Sequence, residues 1–161
     1  MNSLGNLDSI AQEIQNPSQK LADDLQSWDL FSGSGETRYS NKDTGRGICF
    51  EVEDNPFCSA KALDPRLVRI APGCKNELHR HAHESLFVVL DGEAEILIGD
   101  KSIFLKSSQA IFVPRWIKHQ SRNTSLCDWL FILAVTDFGL TSAVLGNYDS
   151  KTREVRREGS T

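Results

Sequence analysis

The sequence predicts a mostly β domain, a sandwich or barrel, preceded by short helices. Two observations predict the strands: apolar residues alternate with polar ones from residue 45 onward, and turn signals recur roughly every eight to twelve residues. Near the N-terminus, apolar residues are instead spaced three and four apart, which predicts helices. A chain of 161 residues can bury such a core in one domain without disulfide bonds.

The N-terminal region, residues 1–44, is predicted to be a helical extension. Asn16-Pro17 interrupts its apolar pattern and separates two helices, and Ser18 is the predicted cap of the second. These helices would pack on the outside of the domain or on a partner subunit. The apolar face of the first carries Leu4, Leu7, Ile10 and Ile14, and that of the second carries Leu21, Leu25 and Trp28.

The predicted strands lie within residues 45–148, which we assign to the β domain. Asp91-Gly92 is a strong hairpin signal, and residues 129–135, the longest apolar run, suit a strand buried on both sides. Residues 149–161 are polar and are predicted to be a flexible tail. The other predicted strands contain residues 48–52, 67–71, 86–90, 94–98, 103–105 and 111–113.

Composition excludes several classes of partner. The formal net charge is −4, whereas nucleic acids and anionic membranes bind clustered positive charge. No apolar stretch approaches the roughly 18 residues of a membrane span, and the N-terminus lacks the pattern of a secretory signal. The four cysteines match no zinc or redox spacing, which favours reduced, mostly buried thiols in a cytoplasmic protein.

All four histidines lie in two short segments of the chain. His79 and His81 are two residues apart, so on one strand they point to the same face. His119, after a turn that contains a proline, can complete a set of three nitrogen ligands. Imidazole suits iron(II), zinc, nickel, copper and, less well, manganese, and catalytic metal sites keep an open position beside three ligands. Surface histidines on a strand remain the alternative at this point.

The two histidine segments resemble the paired motifs of the cupin superfamily. The matching residues are Gly73, His79, His81 and Gly92 in the first motif, and Pro114, His119 and Asn123 in the second. The resemblance covers residues 66–136. It implies a jelly-roll, double-stranded β-barrel that holds one divalent metal ion per chain with His79, His81 and His119.

The chain departs from the family pattern at the ligand glutamate. Ser85 stands at that position, and Glu84 comes one residue too early, which on a strand reverses the side to which it points. Ser108 and Trp116 replace the two glycines of the second motif. The missing carboxylate favours a three-histidine site, such as that of cupin oxygenases resembling cysteine dioxygenase. An ion held by three neutral imidazoles keeps its full charge and activates anionic, chelating substrates.

Four further residues are candidates for the site. His83 shares strand parity with the first two histidines and is a fourth ligand or proton shuttle, or else faces solvent at the turn, the alternative that we favour. Glu84 reaches the metal and moves protons if that turn is irregular. Trp116 either stacks on a planar substrate or packs on the surface, and Ser85 is a candidate substrate contact. Asn123 matches a position that makes structural hydrogen bonds.

The resemblance implies a metal-dependent enzyme acting on a small organic molecule. Our first hypothesis is a non-heme iron(II) dioxygenase with a three-histidine site. The alternatives are a non-redox isomerase, cyclase or decarboxylase using zinc, nickel or manganese, and a cupin that binds a small ligand without catalysis. The resemblance further implies a homodimer.

Overall fold

Two antiparallel β-sheets enclose the core of the protein. The computed structural model describes residues 3–16, 26–57, 60–146 and 153–155. These residues form helices α1 (Ser3–Gln15) and α2 (Phe138–Leu145), a 3-10 turn (Thr44–Arg46) and eleven strands. The strands are β1 (Thr37–Asn41), β2 (Phe50–Asp54), β3 (Asp64–Ile70), β4 (His79–His81), β5 (Ser85–Asp91), β6 (Glu93–Ile98), β7 (Lys101–Lys106), β8 (Ala110–Val113), β9 (His119–Asn123), β10 (Leu130–Thr136) and β11 (Arg153–Val155).

The sheets have six and five strands. The first runs β1-β2-β3-β10-β5-β8, and the second runs β11-β4-β9-β6-β7. Apolar side chains from both meet in one core, with Ile70, Val89 and Ile132 from the first sheet and Ile96 and Leu105 from the second. Such packing buries the apolar face of each sheet against the other. The predicted mostly β, jelly-roll architecture is confirmed.

The strand β10 lies at the centre of the six-stranded sheet. It pairs with β3 on one side and with β5 on the other. Leu130, Ile132 and Ala134 are buried, and the residues between them are half-buried. The longest apolar run therefore forms a central strand, and the prediction that it is buried on both sides holds for one face, since the other is half-buried; Trp129 lies outside the strand and is 47% exposed.

The first predicted helix is present as α1, which packs against α2. It ends at Gln15, as expected before Asn16-Pro17, because a proline disfavours helical conformation in the residue before it. Ile10 is buried, whereas Ile14 is 81% exposed. The second predicted helix falls mainly on residues 17–25, outside the described residues. Trp28 is not helical, and its indole nitrogen donates to Glu53.

Three elements lie where the sequence predicts something else. β1 falls within the predicted helical extension, β11 lies in the predicted flexible tail and pairs with β4, and α2 follows the last predicted strand. β1 has the sequence Thr-Arg-Tyr-Ser-Asn, which lacks apolar alternation because four of its five residues are exposed. Apolar patterning cannot reveal an edge strand of this composition.

Cys49 and Cys74 are half-buried free thiols, and Cys127 is an exposed one. The expectation of mostly buried thiols is therefore wrong for Cys127, while Cys58 lies outside the described residues. Neither helix in the described part of the chain is long and apolar enough to cross a membrane.

Candidate metal centre

Two neighbouring strands bring three histidines together. β4 carries His79 and His81, β9 begins at His119, and the Cα atoms of His79 and His119 are partners across the two strands. The ring of His119 lies 4.4 Å from that of His79 and 4.6 Å from that of His81, centroid to centroid. The candidate ligand nitrogens all lie within 4.8 Å of one another. The three histidines that the sequence predicts to share one site thus lie close together in the structure.

Backbone carbonyls fix the tautomer of each ring. Nδ1 lies 2.8 Å from the Glu77 carbonyl oxygen in His79, 2.9 Å from that of His83 in His81, and 2.9 Å from that of Ile117 in His119. A carbonyl oxygen only accepts hydrogen bonds, so each Nδ1 carries the hydrogen and each Nε2 keeps its lone pair. Three imidazoles oriented in this way are the donor set that a divalent transition metal requires.

Burial keeps the rings of His81 and His83 neutral. It lowers the pKa of His81 to about 2, with further contributions from His83 and His119. Burial also lowers the pKa of His83 to about 2, and the positive charge of Arg66 contributes next. Neutral imidazole is the form that binds a metal, so no proton has to leave these rings at physiological pH.

A cavity of about 360 Å³ opens beside the histidines. Its volume lies in the range of small-molecule sites. His79, His81, His83 and Ser85 line it together with apolar side chains from the six-stranded sheet, and no acidic residue is among the lining residues in the described part of the chain. The apolar lining residues are Phe50, Val52, Val68, Phe87 and Ala134.

Comparison with known proteins agrees with this geometry. Residues 66–133 match the cupin domain family. This stretch of the chain is therefore a cupin domain. A cupin-2 domain from Rhodospirillum rubrum superposes with a TM-score of 0.61 at 15% identity, over 87% of this chain and 84% of the other. Salicylate 1,2-dioxygenase from Pseudaminobacter salicylatoxidans gives 0.57 at 11% identity, over 66% of this cupin and 30% of the enzyme.

A curated relative matches a shorter stretch of sequence. The cupin-domain-containing oxidoreductase of Neurospora crassa is 33% identical over 60 residues. The match spans 37% of this cupin and only 31% of the relative. The relative is thus much longer than the segment in common.

The residue that replaces the cupin glutamate faces the cavity. Ser85 is 1% exposed, and its Oγ has no hydrogen-bond partner among the described residues. Glu84 is absent from the lining; its carboxylate lies 3.5 Å from Arg115 outside the cavity. Adjacent residues at the start of a strand point to opposite faces, so Glu84 points away as its position predicts, and the conditional alternative in which it reaches the metal is not met.

His83 lines the cavity and is 1% exposed, so the favoured expectation that it faces solvent is wrong. Its ring stacks on that of His81, with 3.5 Å between centroids and 11° between planes. It does not belong to the group of three ligand nitrogens. The stack indicates that His83 fixes the orientation of the His81 ring.

Trp116 does not line the cavity, which favours the second of its two predicted alternatives, packing on the surface. The residue adopts φ 58° in the turn before β9, its backbone N–H donates to the His81 carbonyl, and its ring is 6.0 Å from the guanidinium carbon of Arg80. The turn thus directs the indole to the surface. The structural expectation for Asn123 is confirmed, since its buried Nδ2 donates to the carbonyls of Ile70 and Asp128.

Sequence reasoning missed two arginines of the cavity, Arg38 and Arg66. Arg66 is 9% exposed and lies on β3 two residues before Val68, which also lines the cavity. This parity on a recognised strand is the signal that could have identified it. Arg38 lies on β1, a strand that the apolar pattern does not predict.

Proposed function

We propose that this cupin is a non-heme iron(II) enzyme of the dioxygenase type. The observation that supports the proposal is the cluster of His79, His81 and His119, with three imidazole donors and no carboxylate among them. When bound, an iron(II) ion supplies Lewis acidity and redox chemistry. The oxidoreductase name of the Neurospora crassa relative supports the same class.

The protein itself orients and shields the reacting molecule. The three carbonyl contacts hold the Nε2 atoms toward one point, and the stack of His83 on His81 restrains one ring further. Apolar side chains form part of the cavity wall, and a molecule that displaces water against them experiences stronger electrostatic interactions. The Oγ of Ser85 can donate a hydrogen bond to a substrate oxygen.

Proton transfer by Glu84 or His83 is not part of the proposal. The carboxylate of Glu84 is directed toward Arg115, outside the cavity. The lowered pKa of His83 makes that ring a weak base.

The first test is the metal content of anaerobically purified protein, measured by mass spectrometry. We expect about one iron per chain, as one three-ligand site implies, and none in a His79→Ala/His81→Ala double variant. His83→Asn is the matched control, because it removes a cavity histidine outside the ligand group and should retain the metal. Oxygen uptake with chelating acids and diketones then tests turnover.

Other outcomes would replace the proposal. Zinc or nickel at the same occupancy would favour a non-redox isomerase, cyclase or decarboxylase. Absence of metal after reconstitution with iron(II), zinc and nickel would overturn a metalloenzyme and leave a cupin that binds its ligand directly.

A further inference from the structure

Two arginines give the cavity a positive wall. Arg38 from β1 and Arg66 from β3 both line it, among side chains that are otherwise apolar or neutral. The side chain of Arg66 is 11% exposed and that of Arg38 is 36% exposed. A charge at a cavity wall that is partly apolar is costly unless it is paired.

The protein supplies two carboxylates for these two cations. Asp64 accepts hydrogen bonds at Oδ2 from Nε of Arg66 and from Nη1 of Arg38, each at 3.0 Å, and Asp54 lies 3.0 Å from the same nitrogen of Arg38. Neither aspartate lines the cavity. The carboxylates therefore contact the guanidinium groups on the side away from the cavity, and the two arginine side chains form part of the cavity wall.

The same guanidinium groups are held by an aromatic ring. The central carbons of Arg66 and Arg38 lie 5.0 Å and 5.5 Å from the centroid of the Phe138 ring. Contacts with a ring and a carboxylate restrict the rotamers of both side chains. A ligand that meets them loses less conformational entropy on binding than one that must order two mobile arginines.

The positive wall lies close to the histidines. Arg66 and Arg38 line the same cavity as His79, His81 and His83. One small molecule in a cavity of about 360 Å³ can therefore contact the arginines while it faces the histidine cluster.

We propose that the cavity selects small organic acids, whose carboxylate binds Arg66 and Arg38 while an apolar body contacts the sheet wall. The inference rests on the proposed function, because it names the substrate class of that same site. The planar fork of a guanidinium group matches a carboxylate and forms two charge-assisted hydrogen bonds with it.

The competing explanation is structural. Arg66 and Asp64 could serve only as an ion pair that joins β3 to α2 through Phe138. A purely structural pair would affect stability without discriminating an acid from a neutral ligand of the same shape, so binding selectivity separates the two explanations.

The experiment compares 3-phenylpropionate with 3-phenylpropionamide by titration calorimetry, on metal-loaded and metal-free protein. We expect at least a roughly tenfold preference for the acid in both forms, reduced to about twofold or less in Arg66→Met and only partly in Arg38→Met. The metal-free arm shows whether the preference persists without a metal to bind the carboxylate. Arg122→Met is the matched control; Arg122 lies on β9 and pairs with Glu95 of β6, outside this cavity, and its loss should leave the preference intact.

Circular dichroism checks the fold of each variant, and Arg66→Lys replaces Arg66→Met if the latter is unfolded. The lysine variant should lose most of the preference, because an ammonium group lacks the guanidinium fork. The inference is overturned if the wild type binds both ligands equally, if it binds neither, or if a folded Arg66 variant keeps the full preference. Iron in the wild type with no preference would contradict this inference alone, whereas an Arg66-dependent preference without metal uptake would contradict the proposed function alone.

Discussion

Each ligand histidine donates its Nδ1 hydrogen to a carbonyl two residues away along the chain. Spacing and motif identify the three ligands, because parity on a strand is a property of sequence. The tautomer is not predictable in the same way, since it depends on where the backbone places Glu77, His83 and Ile117. The burial of His83 is not predictable for a related reason. The side chains around it come from segments that are distant in sequence, and strand parity does not show which segments meet.

The buried imidazoles predict that metal-free protein loses stability in mild acid. The pKa of His81 and that of His83 are lowered in the folded state from the ordinary value of 6.5 to about 2. Below the ordinary value the unfolded chain therefore binds protons that the folded chain does not. The free energy of unfolding should fall as the pH falls, by at most roughly 1.4 kcal/mol per ring for each pH unit.

Urea denaturation of metal-free protein at about pH 7, 6 and 5, above the ordinary range of carboxyl pKa values, measures this loss. His83→Asn should show about half the slope, because one of the two rings has been removed. A free energy of unfolding that stays constant over this range would contradict the prediction.

Two turns carry side chains in left-handed backbone conformation. Ser108, between β7 and β8, has φ 70°, and Trp116, between β8 and β9, has φ 58°. Both stand where the cupin motif has glycine, so the departures visible in the sequence lie at strained positions of the structure. The cost of this conformation for a residue with a Cβ atom is about 1–2 kcal/mol.

Ser108→Gly should therefore stabilise the protein. Relief of the strain exceeds the extra entropy that glycine gives the unfolded chain, and we expect a net gain of up to about 1 kcal/mol, seen as a higher Tm in thermal denaturation. Ser102→Gly on β7 is the matched control; it is an exposed serine without positive φ, so its replacement should lower the Tm. Equal destabilisation by both substitutions would show that Ser108 is not strained.

The elements with an apolar face were predictable, and those without one were not. β5 and β10 are continuous apolar runs, and β6 places its apolar residues Ala94 and Ile96 at alternate positions, because each strand contacts the core. β1 is polar throughout and α2 is only eight residues long. Arg38 of the positive wall lies on one of these missed elements, and Phe138, which holds it, lies on the other. Apolar patterning therefore could not predict Arg38 or its contact with Phe138, whereas spacing and motif predict the three histidines.

At the scale of the whole molecule, the six-stranded sheet exposes apolar side chains near its β8 edge. Leu86 and Phe112 are Cα partners across β5 and β8 and are 43% and 52% exposed. A second copy against this edge would bury them, and an exposed edge strand favours such pairing. We predict a homodimer, detected by sedimentation at micromolar concentration.

A Leu86→Ser/Phe112→Ser double variant should shift the protein toward the monomer, because it removes the apolar area of this edge. Phe104→Ser is the control, since Phe104 is 69% exposed on the other sheet. A wild-type protein that sediments as a monomer would contradict the prediction.

β4 carries two of the candidate ligands, and its contact with β9 has the fewest paired residues among the described strands of that sheet. β4 has three residues, and one Cα pair, His79 with His119, links it to β9, whereas β11 pairs with all three on the other side. An ion held by His79, His81 and His119 would tie β4 to β9 as a cross-link. Metal binding would then stabilise the pairing of β4 with β9. The fraction of molecules with bound metal and the fraction with these two strands paired should therefore increase and decrease together.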